Sequence, residues 1–121
     1  MFVCFLKGVT EELVKKAAKV ALGVKLSETE EGEKRVDVVT NKGEVLVVPQ
    51  ATLGGKLKGS SLQYHNNVKP AEGEEMYKLF CKMLMEAREE EELSMVKVGM
   101  FGARQVLSME TNGPYSHVID I

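Results

Sequence analysis

Apolar residues in this 121-residue chain recur in two rhythms, and the alternation between them sets the predicted order of elements. Phe2 to Leu6 is apolar and rich in aromatic and β-branched residues, which predicts a buried strand ending at Gly8. Thr10 then suits an N-cap, Glu11 and Glu12 suit a first helical turn, and Leu13, Val14, Ala17, Ala18 and Ala21 recur at helical spacing up to Gly23. Lys25 to Lys34 reads as a polar, acidic loop. Arg35 to Thr40 and Glu44 to Val48 flank the turn cluster Asn41-Lys42-Gly43, which predicts a hairpin with Gly43 free to take positive φ. Its second arm carries the continuous apolar run Val45 to Val48, a core strand that Pro49 ends because proline has no amide hydrogen for a ladder.

Beyond this point Ser60 to Lys69 reads as irregular, and Pro70 opens a helix with Met76, Leu79, Phe80, Met83 and Ala87 on one face. The methionines there are core filler. Met95 to Met100 predicts a strand, Phe101-Gly102-Ala103 a bend and Gln105 to Glu110 another strand; Thr111-Asn112-Gly113-Pro114 is a turn before a last strand, Tyr115 to Ile121. The expected fold class is α+β, a single domain with two amphipathic helices on a mainly antiparallel sheet.

A chain this long has room for one hydrophobic core and no second domain. At 44% hydrophobic and 28% charged, with no long apolar run and no leader pattern, it reads as a soluble globular protein without a membrane span. Cys4 and Cys81 lack metal-ligand spacing; they read as two buried thiols, with a disulfide as the alternative. A formal net charge of -2 argues against a protein that coats nucleic acid without specificity. The charge is unevenly placed, however. No acid lies between Glu44 and Glu72, a window holding Lys56, Lys58, His65 and Lys69, so one face is free to meet phosphate. The acids of Glu28 to Glu33 and Glu89 to Glu92 read as solvated surface.

Within that window Gln50 and Thr52 follow the strand end, and Gly54-Gly55 would let backbone approach a ligand closely before Lys56 and Lys58. This is either a strand-end binding site or a polar turn with solvated lysines. No familiar catalytic constellation accompanies it. Ser60 and Ser61 lack a nucleophile elbow, no carboxylate pair stands out, and the two histidines are far apart. His65 beside Tyr64 either stacks on a base or rests on the surface, while His117 reads as a strand histidine rather than a general base.

Pro49-Gln50-Ala51-Thr52, Leu53-Gly54-Gly55-Lys56-Leu57-Lys58-Gly59, Phe101-Gly102-Ala103 and Thr111-Asn112-Gly113-Pro114-Tyr115-Ser116-His117 occur in one order along the chain. In order and approximate spacing they resemble the D-aminoacyl-tRNA deacylase family, over nearly the whole sequence. Pro49, Ala51 and Gln63-Tyr64-His65 are similar to the animal-type branch, the animalia-specific tRNA deacylase, rather than to the standard branch with Ser-Gln-x-Thr. Thr111 stands where the standard branch usually has asparagine, and Ser116 replaces threonine. The family's lead strand and hairpin have no counterpart ahead of Phe2, nor does the arginine which that strand supplies near the filter. A bare sheet edge is the expected consequence.

The resemblance implies a proofreading hydrolase of aminoacyl-tRNA esters that needs no metal or organic cofactor. Main-chain groups of Gln50, Ala51 and Thr52 would hold the carbonyl and its developing oxyanion, with the ribose 2′-hydroxyl assisting. Thr52 would position substrate, with covalent nucleophile as its lesser alternative. Gly113-Pro114 would be the chiral filter, trans here as in the animal-type branch, where the wider pocket admits a small L-residue such as alanine. Pro49, Phe101, Gly102 and Ala103 would line the pocket, and Lys56 and Lys58 would steer tRNA. Implied partners are the aminoacylated 3′ end of tRNA and a second copy in a homodimer, with no DNA and no membrane, in the cytoplasm. The alternative is a non-catalytic module that binds an RNA or nucleotide 3′ end.

Overall fold

The computed structural model describes residues 1–32, 34–90 and 92–121. Its elements are β1 (Phe2–Val3), α1 (Glu11–Gly23), β2 (Ser27–Glu28), β3 (Arg35–Val36), β4 (Glu44–Pro49), a 3-10 turn (Ala51–Gly54), β5 (Lys56–Lys58), β6 (Ser61–Gln63), α2 (Pro70–Glu89) and β7 (Met95–Val98). Thr10 caps α1 as expected, its hydroxyl oxygen accepting from the Leu13 amide at 3.2 Å, and Pro70 sits in the first turn of α2. The α+β class and both helices stand.

Strand direction departs from expectation. The central sheet has the order β1-β4-β7 and is parallel throughout, with Phe2 opposite Val48 and Val45 opposite Val96. The reason lies in the connections, because each pair of these strands is separated in sequence by a helix, and a helical crossover returns the chain in the same direction. Among the described residues the antiparallel strand pairs are β2 with β3 and β5 with β6, beside one isolated antiparallel bridge between Leu6 and Asn67. The expected hairpin over Arg35 to Val48 does not form. β3 pairs backward with β2, and residues 37–43 close in tight turns in which the Thr40 amide donates to Asp37 Oδ1 at 2.7 Å and the Gly43 amide to the Val38 carbonyl at 2.9 Å. Lys42, not Gly43, takes the positive φ there, 48°.

One cluster holds the fold. Val14 and Ala18 of α1, Val45 and Val47 of β4, and Phe80 and Leu84 of α2 are buried together. The centre of the α2 face runs through Tyr77, Phe80, Cys81, Leu84 and Ala87, which leaves Met76, Leu79 and Met83 at its partly buried margin. Both helices cover the side of the sheet presented by Val45 and Val47. On the other side Leu46 is 45% exposed, Phe2 51% and Met95 43%, so the sheet keeps an uncovered apolar face. Cys4 and Cys81 are free thiols, both raised above the ordinary thiol range by burial, and the same cause raises the Tyr77 phenol. No helix among the described residues is long and apolar enough to cross a membrane.

The two strands expected over Gln105 to Glu110 and Tyr115 to Ile121 are absent. Among the described residues no backbone hydrogen bond involves residues 105–121, and Val106 and Val118 are almost fully exposed. A strand exists only where its amides and carbonyls meet a ladder, and none of the described segments offers one here. Conversely, the stretch expected to be irregular, Ser60 to Lys69, contains β6, and the loop expected over Lys25 to Lys34 contains β2. Glu28, Glu89, Glu90 and Glu92 are exposed as expected, while Glu33 and Glu91 lie outside the described residues.

Because Leu84 is fully buried at the helix–sheet contact, Leu84→Ala is expected to cost about 2–5 kcal/mol. Urea denaturation followed by circular dichroism measures this. A second position is decided by close approach, since a Cβ on Gly54 would lie 1.7 Å from Asn67 Oδ1 and 3.1 Å from Leu6 Cδ2. Gly54→Ala should therefore destabilise by about 1–3 kcal/mol in the same assay, whereas alanine at Gly23, where a Cβ meets open space, should not.

Candidate functional site

The carboxyl ends of β1, β4 and β7 meet at one place. β4 carries ladder bonds on both edges until the Gln50 amide donates to the Val3 carbonyl at 2.8 Å and the Gly99 amide to the Val47 carbonyl at 2.7 Å. Thereafter the chain tightens into the 3-10 turn, with the Leu53 amide bonded to the Gln50 carbonyl at 3.2 Å and the Gly55 amide to the Thr52 carbonyl at 3.1 Å. Ala51 and Thr52 are exposed, and among the described residues their amides donate to nothing. These are the first two N–H groups of the turn, which no turn carbonyl can reach. Two adjacent outward amides can receive an oxygen that gathers negative charge. Gln50 departs from the trio expected, since its amide is already committed to Val3; its side chain contributes instead, with Nε2 donating to Thr52 Oγ1 at 2.6 Å. An amide nitrogen supplies a proton to that oxygen rather than removing one, so this hydrogen bond does not activate Thr52 as a nucleophile.

The Ala51 carbonyl faces inward. It accepts from Asn67 Nδ2 at 2.8 Å and lies 3.6 Å from Cys4 Sγ. Gly54 and Gly55 are approached closely here by the protein's own side chains. Asn67 fills the space beside Gly54, and the Tyr64 ring lies 3.0 Å from where a Gly55 Cβ would be, so the pair admits the protein's own side chains. Cys4, with its thiol raised by burial, is a poor nucleophile at neutral pH.

Pro49 abuts the end of β7, its Cδ lying 3.0 Å from the Cβ position of Gly99. The Phe101-Gly102-Ala103 bend follows directly, with Gly102 at φ +76° and Phe101 packed on Gly73 and on Tyr77, ring centroids 5.7 Å apart. The structure thus sets Pro49 against Gly99, two residues ahead of this bend, while Phe101 itself packs on α2. Lys56 and Lys58 share one face of the exposed β5–β6 hairpin that follows, and neither makes an ion pair among the described residues.

Gly113 and Pro114 lie elsewhere. With Leu26, Glu28, Arg35 and Tyr115 they line a cavity of about 550 Å³ that includes no residue of 49–58, and no hydrogen bond joins the two regions among the described residues. No described peptide bond is cis, so Gly113-Pro114 is trans, the state the resemblance implies. Arg35 packs over the Tyr115 ring at 4.0 Å from its centroid, pairs with Glu28 at 3.0 Å and donates to the Leu26 carbonyl at 3.4 Å. His117 also packs on Tyr115, edge-on, with ring centroids 4.5 Å apart.

Sequence reasoning missed Arg35, Asn67 and Cys4. Arg35 closes a polar loop and Asn67 follows another asparagine, contexts in which neither carries a local signal; only the close approach at Gly54 betrays Asn67. Among the described residues no group of three or more His, Cys, Asp or Glu could hold a metal ion.

The profile of the family described as D-Tyr-tRNA(Tyr) deacylase matches residues 1–120. The chain is 47% identical over 125 residues to D-aminoacyl-tRNA deacylase 2 of Gallus gallus, an overlap of 99% of this chain and 74% of that protein. Identity to D-aminoacyl-tRNA deacylase 2 of Homo sapiens is 45%, with the same shares covered. A solved structure described as that of a probable eukaryotic D-amino acid tRNA deacylase superposes with a TM-score of 0.88 at 29% identity, over 99% of this chain and 83% of the other. These similarities, which span nearly the whole of this chain, place the protein in the D-aminoacyl-tRNA deacylase family, in its animal-type branch.

Proposed function

We propose that this protein hydrolyses the ester linking an amino acid to the terminal adenosine of a mischarged tRNA. D-Aminoacyl-tRNA is its principal substrate, and L-alanine on a threonine tRNA is a second. The observation that carries the reading is the pair of exposed, unpaired amides of Ala51 and Thr52 at the strand end. When water attacks the ester carbon, the carbonyl oxygen gathers charge, and two fixed amides stabilise it without reorganising. The substrate's own 2′-hydroxyl assists the water, in keeping with Thr52 Oγ1 having the Gln50 amide rather than a base as its side-chain partner among the described residues. The free amino acid and the tRNA 3′-hydroxyl leave as products.

Stereochemical selection falls to Gly113-Pro114, whose carbonyls oppose a side chain of the wrong hand. The pair lies away from the Ala51–Thr52 turn within one chain, so in this reading a second copy brings its own Gly-Pro loop to the turn. The uncovered face with Phe2, Leu46 and Met95 suits such a homodimer. Lys56 and Lys58 steer the tRNA backbone toward the turn. The reaction belongs in the cytoplasm, where aminoacylated tRNA is made and used.

Incubation with D-aminoacyl-tRNA and with L-alanyl-tRNA bearing a threonine anticodon, following loss of the ester, tests this directly. Release of amino acid from both is expected, while matched L-threonyl-tRNA should be spared. Binding of the tRNA without release would reduce the protein to a 3′-end binding module. Since Thr52 Oγ1 accepts from Gln50 and keeps its proton for the substrate, Thr52→Ala should lower kcat at least tenfold with little change in melting temperature. A loss of stability that matches the loss of turnover would show that Thr52 merely closes the turn.

A further inference from the structure

Asn67 stands at the return of the chain from the β5–β6 hairpin toward α2 and is tied by a bridge with Leu6 to the segment that follows β1. Its Nδ2 donates to the Ala51 carbonyl at 2.8 Å. The orientation of the amide is fixed by chemistry, because an oxygen turned toward Ala51 would set acceptor against acceptor. Oδ1 is in consequence buried without a hydrogen-bond partner, beside Gly54. A residue present for packing alone would not need to carry an orphaned acceptor, which costs free energy. Three features therefore converge on one carbonyl: a donor at hydrogen-bond distance, a glycine that gives the donor room, and a polar atom stranded to keep it there.

The consequence lies on the other side of the same peptide. A trans peptide is planar, so the Ala51 carbonyl and the Thr52 N–H point in opposite directions. Holding the carbonyl against Asn67 aims the Thr52 amide away from it, toward the exposed surface of the turn. We propose that Asn67 is a positioning residue for ester hydrolysis, acting through the Ala51 carbonyl to fix the direction of the Thr52 amide, one of the two oxyanion donors. This rests on the deacylase reading above. Without Asn67, the Ala51–Thr52 peptide can rotate and the donor spends part of its time out of line.

The test uses the full chain and two variants. Asn67→Ala removes the side chain, and Asn67→Leu keeps nearly its shape beside Gly54 while removing the donor. Turnover of D-aminoacyl-tRNA is measured alongside the thermal midpoint and the amide resonance of Thr52. Expected for both variants are a kcat at least tenfold lower, a KM within twofold of the parent and a shifted Thr52 resonance, with the fold intact. Should one variant fail to fold, the other decides. An active parent whose folded variants turn over within twofold of it, or lose activity only through KM, overturns the role of Asn67 and leaves the deacylase reading standing. A parent that binds the tRNA but releases no amino acid overturns both.

Discussion

Everything at the site depends on where the ladder of β4 stops. Flanked by β1 and β7 in parallel register, this strand gives its Val48 and Gln50 amides to the β1 segment, and among the described residues the next two amides have no partner. Parallel sheets place their binding sites at the carboxyl ends of strands for this reason, since the ladder ends there and the connecting loops begin. Here three strand ends coincide, and the Asn67 return closes on the turn that follows β4. The free amides are thus a product of topology before they are a product of any one side chain.

Rigidity around those amides comes from the core. Val45 and Val47 fix β4 against both helices, and Tyr77 ties α2 to the end of β7 by donating its hydroxyl to the Gly99 carbonyl. From there Gly99 touches Pro49, the residue immediately before the turn. The burial that holds the fold therefore also sets the direction in which the turn leaves the sheet. The second half of the proposed pocket is organised separately. The Gly113-Pro114 loop is braced by Arg35, which joins β3 to the Tyr115 ring, and the surrounding segment 105–121 has no ladder of its own.

Local chemistry was legible in the sequence, and pairing was not. The Thr10 cap, the proline opening α2, the end of β4 at Pro49 and the existence of both helices rest on neighbours within a turn or two, and each stands where the pattern puts it, although the buried face of α2 is centred on Tyr77, Cys81 and Leu84 rather than on its methionines. Alternation over Gln105 to Glu110 records a preference for extended backbone, but a strand also needs a partner that periodicity does not name. The same gap produced the antiparallel expectation, because alternating residues are blind to the direction of the neighbouring strand. At the site, the motif located the turn, whereas the commitment of the Gln50 amide to Val3 and the hold of Asn67 on Ala51 span residues far apart in sequence.

The most direct measurement is a crystal structure with a non-hydrolysable aminoacyl-adenosine analogue, in which an amide replaces the ester. Donation by the Ala51 and Thr52 amides to the analogue's carbonyl oxygen, at about 2.7–3.1 Å, is the predicted result. An analogue seated with its carbonyl away from both amides, whether against the Arg35 and Pro114 cavity or along the lysine hairpin, would contradict the account.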